Sequence, residues 1–218
     1  MRKLIVNTFL TLDGVMQAPG GPEEDPSDGF EFGGWSANYW DEKMGHVMDG
    51  VMGKPFDLVL GRKTYEIFAA YWPHATEEQG AKPLNDATKY VASRTLDSLD
   101  WAPSVLIEGD AAEGVAALKQ QDGPELQVHG SSNLLQTLLR HNLIDEFHLW
   151  TFPVVVGSGK RLFDEGTVPS ELKLIDSTVS TTGVVIGTYV PAGDIPTGSF
   201  ALEEPTDAEM ERRRNLEG

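Results

Sequence analysis

Residues 56–68, Phe-Asp-Leu-Val-Leu-Gly-Arg-Lys-Thr-Tyr-Glu-Ile-Phe, join a short apolar run to a helical pattern through one glycine. The first turn of a helix carries unpaired N–H groups, and Gly61 lets an anion approach the backbone there. Arg62 and Lys63 place cations at that mouth, and Thr64 can cap the helix or donate its hydroxyl to a phosphate oxygen. Gly130-Ser131-Ser132 repeats the design after another strand: a small-residue turn, then a helix start. Two such turns on one parallel sheet share its carboxyl edge, where open α/β sheets bind ligands. Arg94 follows Tyr90-Val91-Ala92-Ser93 and emerges at the same edge. A guanidinium suits a phosphate dianion, and a 2′-phosphate is what separates NADPH from NADH, so Arg62 and Arg94 together point to NADPH. The alternative is a capped strand–helix turn with solvated cations, and an Arg94 paired with a surface carboxylate.

Three carboxylates are candidates for the chemistry. Asp13 ends the first strand in Leu12-Asp13-Gly14, where it could bond a ring nitrogen or ribose hydroxyl in the cleft. Asp41 and Glu42 open the first helix, where acids also favour the helix dipole. Other motifs fail on spacing. Val156-Gly157-Ser158-Gly159-Lys160-Arg161 has Val154 where a Walker loop needs glycine, Arg161 where it needs Ser or Thr, and Leu162 where a Rossmann fingerprint needs Gly or Ala. Gly157 and Gly159 are therefore expected to permit an unusual turn or a close backbone approach. The five histidines lack zinc spacing, Ser131 and Ser132 lack the nucleophile-elbow glycines, and Pro26 interrupts the acidic loop at 23–31. No metal site is expected.

The elements that must position these residues follow from patterning. Lys3–Thr11 is a central strand, apolar on both faces, and residues 13–36 are long enough to be an active-site loop. Tyr39–Met52 has helical spacing, and strands at 56–60, Lys89–Ser93, Val105–Glu108 and Leu126–His129 alternate with helices at 64–71, Ala111–Gln121 and Asn133–His141. This predicts a three-layer α/β fold with a mostly parallel, doubly covered sheet. Glu146–Val156, Glu171–Ser180 and Val184–Pro191 are strands without long helices between them, and Thr182-Gly183 makes an antiparallel C-terminal hairpin. Residues 1–191 form the domain and 192–218 an acidic tail with one helical segment. The 218 residues carry a net charge of −17, which argues against nucleic acid as partner. No apolar run is long enough for a membrane span, no cysteine is present, and cytoplasmic residence is expected.

Thr11-Leu12-Asp13-Gly14, Gly61-Arg62-Lys63-Thr64-Tyr65-Glu66, Ser93-Arg94, Val128-His129-Gly130-Ser131 and Pro153–Gly159 followed by Leu162-Phe163 occur in that order. Together they resemble the dihydrofolate reductase superfamily, and within it the RibD C-terminal-like group of riboflavin-biosynthesis reductases, over residues 2–190. The resemblance implies an NADPH-dependent reductase. Gly61, Arg62 and Thr64 would line the adenosine and pyrophosphate side, Ser93 and Arg94 the 2′-phosphate, and Gly130, Ser131 and Ser132 the pyrophosphate. Asp13 and Gly14 would lie near the nicotinamide and substrate, with Trp35 and the nearby Trp40 on a lid. Asp13 or Asp41 would assist proton delivery. The chain departs from the pattern at His129, where the second turn usually has glycine, and lacks the Pro-Trp pair of true dihydrofolate reductases. The implied substrate is a pyrimidine or pteridine, specifically the 5-amino-6-(5-phosphoribosylamino)uracil of riboflavin synthesis. A dihydrofolate- or pteridine-reducing enzyme and a non-catalytic NADP-binding protein are the alternatives. A two-fold homodimer is expected through the C-terminal sheet edge, where Val154–Val156 and Val184–Ile186 look too apolar for water.

Overall fold

The computed structural model describes residues 1–216, so the last two residues of the expected tail lie outside the described residues. Eight strands form one sheet: β1 (Leu4–Thr11), β2 (Phe56–Gly61), β3 (Lys89–Ala92), β4 (Ser104–Ile107), β5 (Glu125–His129), β6 (Glu146–Phe152), β7 (Glu171–Val179) and β8 (Val185–Gly193). Their order is β4-β3-β2-β5-β1-β6-β8-β7. The first six are parallel, and β8 pairs antiparallel with both β6 and β7. The fold is α/β with a mostly parallel sheet and the antiparallel C-terminal pair that the sequence predicts.

Because side chains alternate along a strand, each strand feeds two cores. Leu4 and Val6 of β1 pack with Leu126 and Val128 of β5 beneath α4 (Ala111–Gln120) and α5 (Ser132–Arg140). On the other face, α1 (Glu42–Met52) inserts Met44 against Trp150 and Phe152 of β6. Beside it, α2 (Arg62–Tyr71) and α3 (Ala81–Asp86) pack Tyr65 and Leu84 onto Phe56, Leu58 and Leu60 of β2. A short apolar run of fully buried side chains is what a central parallel strand requires.

Two expectations need correction. β6 ends at Phe152 and not at Val156, because Pro153 has no N–H to continue the ladder. Val154–Val156 instead turn back toward β1, where Leu12 N donates to Val154 O at 2.7 Å. Val184 and Ile186 are buried in the core, so the apolar edge belongs to β7, which exposes Leu174, Ile175 and Val179. Between α2 and β3, residues 72–86 fold into α3 and two short 3₁₀ turns. In the tail, α6 (Asp207–Arg214) is capped by Thr206, and Glu209 pairs with Arg212 and Arg213.

Candidate active site

At the carboxyl edge of the sheet, β2 and β5 each run directly into a helix. Gly61 precedes α2 and Ser131 precedes α5, and neither helix start has a side-chain cap. By contrast, Asp41, Asp110 and Thr206 cap α1, α4 and α6. Ser131 does not cap its own helix because its Oγ accepts from Gly61 N at 2.8 Å, tying the two turns together. Gly130 and Ser131 have φ of +73° and +68°, which turns the chain sharply out of β5. A Cβ added at Gly61 would come within 3.4 Å of Ser131. The two turns thus touch, and both line one cleft of about 2600 Å³.

This cleft brings together Gly61, Arg62, Thr64, Ser93, Arg94, Gly130, Ser131 and Ser132. The residues differ in how free they are. Arg62 is half-exposed, bonded to Glu66 at 2.7 Å and to Thr95 Oγ1 at 2.6 Å. The hydroxyl of Ser93 accepts from Thr95 N and Leu96 N, so it shapes the turn after β3. Arg94 is exposed and forms no ion pair among the described residues.

Asp13, Gly14, Trp35 and Asp41 do not line the cleft. The carboxylate of Asp13 accepts from Thr11 Oγ1 at 2.6 Å and Gly157 N at 2.8 Å, and it faces Arg161 at 3.7 Å. The Thr11 hydroxyl and these backbone N–H groups outweigh its partial burial and hold its pKa below the usual carboxylate value. Gly14 turns the chain with φ +83°, and its N–H donates to Thr11 O at 2.9 Å. Trp35 is buried, donates to Gln17 O at 2.8 Å and packs edge-on against Phe152. Asp41 caps α1 through Met44 N at 2.8 Å and accepts from Thr181 N and Oγ1, each at 2.6 Å. These four residues hold turns and packing outside the cleft lining.

Other residues do face it. Trp40 stacks on Trp150 at 6.1 Å with an interplanar angle of 6°, and lines the cleft with Phe9, Met48 and Met52. Asp49, on α1, is a carboxylate that lines the cleft. Asn7 lies between His129 of β5 and His148 of β6 in register and forms part of the floor. Gln17 holds the 13–36 loop, donating to Asp25 O and Ser27 O at 3.0 Å each and accepting from Lys160 N at 3.1 Å. The Gly157–Gly159 segment behaves as its glycines predict. Both have positive φ, and a Cβ at Gly159 would meet Val15 at 2.6 Å.

The model of the RibD C-terminal domain family matches residues 2–186. The chain belongs to that family. It is 29% identical over 194 residues to the uncharacterized protein YyaP of Bacillus subtilis (strain 168), covering 84% of this chain and 92% of YyaP. Among solved structures it is similar to the dihydrofolate reductase of Enterococcus faecalis complexed with NADP(H), with a TM-score of 0.55 at 17% identity, covering 87% of this chain and 96% of that one. It is also similar to the deaminase/5-amino-6-(5-phosphoribosylamino)uracil reductase of Thermotoga maritima, with a TM-score of 0.57 at 14% identity. That match covers 88% of this chain and 57% of the Thermotoga chain. At these identities the two structures establish the fold. Among the described residues, no helix is long and apolar enough to cross a membrane and no His/Asp/Glu cluster has metal-binding form.

Proposed function

We propose that the chain is an NADPH-dependent reductase that transfers hydride to a pyrimidine- or pteridine-type heterocycle. The observation that carries this is the pair of uncapped helix starts joined by the Gly61–Ser131 bond, with Arg62 and Arg94 on the same edge. Free N–H groups at two helix starts, a glycine cradle and an arginine with no ion pair among the described residues fit a dinucleotide carrying an extra phosphate. Gly61, Thr64, Gly130, Ser131 and Ser132 would hold the pyrophosphate, and Arg94, with Ser93 and Arg62 beside it, the 2′-phosphate. NADPH supplies the hydride when bound.

The rest of the cleft suits a flat acceptor. Phe9, Trp40, Met48 and Met52 give it apolar walls. Asp49, a carboxylate of α1 in the cleft lining, would relay a proton, directly or through water, since Asp13 and Asp41 do not line the cleft. Within the substrate class, the specific candidate is the phosphoribosylaminouracil of riboflavin synthesis. Purified protein that oxidises NADPH with that uracil, followed at 340 nm, and rescues cells lacking the riboflavin reductase would establish it. Turnover of a dihydropteridine alone would move the assignment to that branch. Tight NADPH binding with no turnover on any heterocycle would make the chain a binding protein.

The same proposal includes a two-fold homodimer through β7, whose Leu174, Ile175 and Val179 are about half exposed on an open sheet edge. Light scattering should give twice the chain mass of 23.8 kDa, also after deletion of residues 196–218. The single-chain mass at micromolar concentration would reject it.

A further inference from the structure

Trp40 stands between a 3₁₀ turn (Ala37–Tyr39) and α1, in extended backbone with φ −64° and ψ 130°. It lines the cleft and is 48% exposed. One side of the indole stacks on Trp150, and Phe9 leans on it at 6.3 Å, which leaves open ring surface at the cleft. Trp35, Trp101 and Trp150 each donate the indole N–H to a protein acceptor, but no such bond holds Trp40 among the described residues. Its place therefore depends on stacking and on its backbone.

That backbone is gripped on both sides by the turn between β7 and β8. Thr182 Oγ1 donates to Tyr39 O at 2.5 Å. Thr181 N and Oγ1 donate to Asp41 Oδ2, each at 2.6 Å, and Lys43 Nζ donates to Val179 O at 2.7 Å. A helix cap needs one carboxylate oxygen, which is Asp41 Oδ1 on Met44 N; the other goes to the turn. The turn is itself braced, since Ser180 N donates to Val184 O and Val184 N to Ser180 Oγ, each at 2.9 Å. A hydroxyl has one proton to give, and Thr182 gives its own to Tyr39 O. The 2.8 Å contact between Ser180 and Thr182 therefore runs from serine to threonine, which aims the Thr182 hydroxyl. The Thr181 hydroxyl and then the Met44 N–H hold the Asp41 pKa below the usual carboxylate value, so the grip persists at neutral pH. Ser180, Thr181 and Thr182 all lie outside the cleft lining.

We infer that the β7–β8 turn is a positioning device for the cleft: Thr181 and Thr182 hold Trp40 so that its open ring surface stacks on the flat ring of the acceptor. The assignment to the acceptor rests on the reductase proposal, in which the turns after β2 and β5 take the dinucleotide. Stacked rings attract beyond the area they bury, and a wall that must first be ordered binds less well. The loss falls equally on ground and transition states, so KM rises and the maximal rate stays as it is.

Calorimetric titration of the full-length protein with 5-amino-6-(5-phosphoribosylamino)uracil, with and without NADP⁺, tests this. Trp40→Ala should weaken the uracil about tenfold. Thr181→Val with Thr182→Val removes both hydroxyls, keeps the branched shape, and should weaken the uracil about fivefold with kcat within about twofold. Thr182→Val alone keeps the Asp41 bonds and should lose less. The serine pair, Thr181→Ser with Thr182→Ser, should restore wild-type affinity. In a Trp40→Ala background the valine pair should have no further effect, because residues acting through Trp40 have nothing left to place. Near-ultraviolet circular dichroism of the free protein gives a second reading. The band lost in Trp40→Ala should also be lost in the valine pair, with the far-ultraviolet spectrum unchanged. No binding of the uracil to wild type, affinity kept by Trp40→Ala, valine effects that multiply with it, or a Trp40 band that is absent or survives in the valine pair would overturn the inference. NADPH titrated in parallel keeps the two proposals apart. NADPH that fails to bind while the uracil series behaves as expected sinks the reductase alone, and NADPH that binds while the series fails sinks the positioning alone.

Discussion

Gly130→Ala separates a phosphate cradle from a merely structural turn. At φ +73° an alanine is in the left-handed region, which costs about 1–2 kcal/mol, partly offset by about 0.4–1 kcal/mol from a less flexible unfolded chain. The new Cβ would lie 3.6 Å from Thr64 Oγ1, an ordinary contact, so nothing clashes. The net loss is about 1 kcal/mol, and the melting temperature should fall by about 2–4 °C. The same methyl would stand beside Thr64 where a phosphate must reach the backbone N–H groups. Losing even one hydrogen bond to a charged group costs about 1.5 kcal/mol, or roughly tenfold in affinity. Calorimetric titration with NADPH and a thermal melt on the same sample would read both numbers. An affinity within twofold of wild type, with the melt shifted as expected, would refute the cradle and leave Gly130 a structural glycine.

Arg94→Ala should weaken NADPH by about 1.5–3 kcal/mol and NADH much less, whereas Arg62→Ala should cost nearer 1 kcal/mol because Glu66 and Thr95 already engage its guanidinium. Equal losses for both cofactors in fluorescence titrations would show that these arginines serve the fold. His129 titrates near 6.5 when unfolded and about 4 when folded, so the unfolded chain binds more protons between those values. Stability should therefore fall as the pH drops from 6.5 to 4, by up to about 3 kcal/mol, and urea unfolding of His129→Phe at pH 7 and 4.5 should lack that component. Asp41→Ala should lower the melting temperature by removing its helix cap and leave the maximal rate of NADPH oxidation unchanged, and a collapsed rate in a folded variant would return Asp41 to the chemistry.

Where burial and periodicity coincide, the fold was legible. The apolar runs of β1, β2 and β5 mark the central strands, and the Gly61 and Gly130 turns mark where helices start. The tertiary use of polar side chains was not. Asp13 has the type and position of a ligand-binding carboxylate, yet Thr11 two residues earlier is also its partner, and Thr-x-Asp before glycine is a signal for a self-bonded turn. Asn7 could have been noticed as a polar residue inside a fully buried strand, but its partner is Trp150, far along the chain. Asp49 is one acid among several on a helix, and only the packing of α1 beside β1 turns it toward the cleft. The sequence pattern runs β6 past its end because the valines after Pro153 outweigh the missing N–H of the proline itself.

We propose that the two joined helix starts hold NADPH. Calorimetric titration of the full-length protein with NADPH and with NADH at physiological ionic strength tests it most directly. One NADPH per chain should bind with at least tenfold preference over NADH, and Arg94→Ala should remove most of that preference. No binding of either dinucleotide, or binding indifferent to the 2′-phosphate, would contradict it.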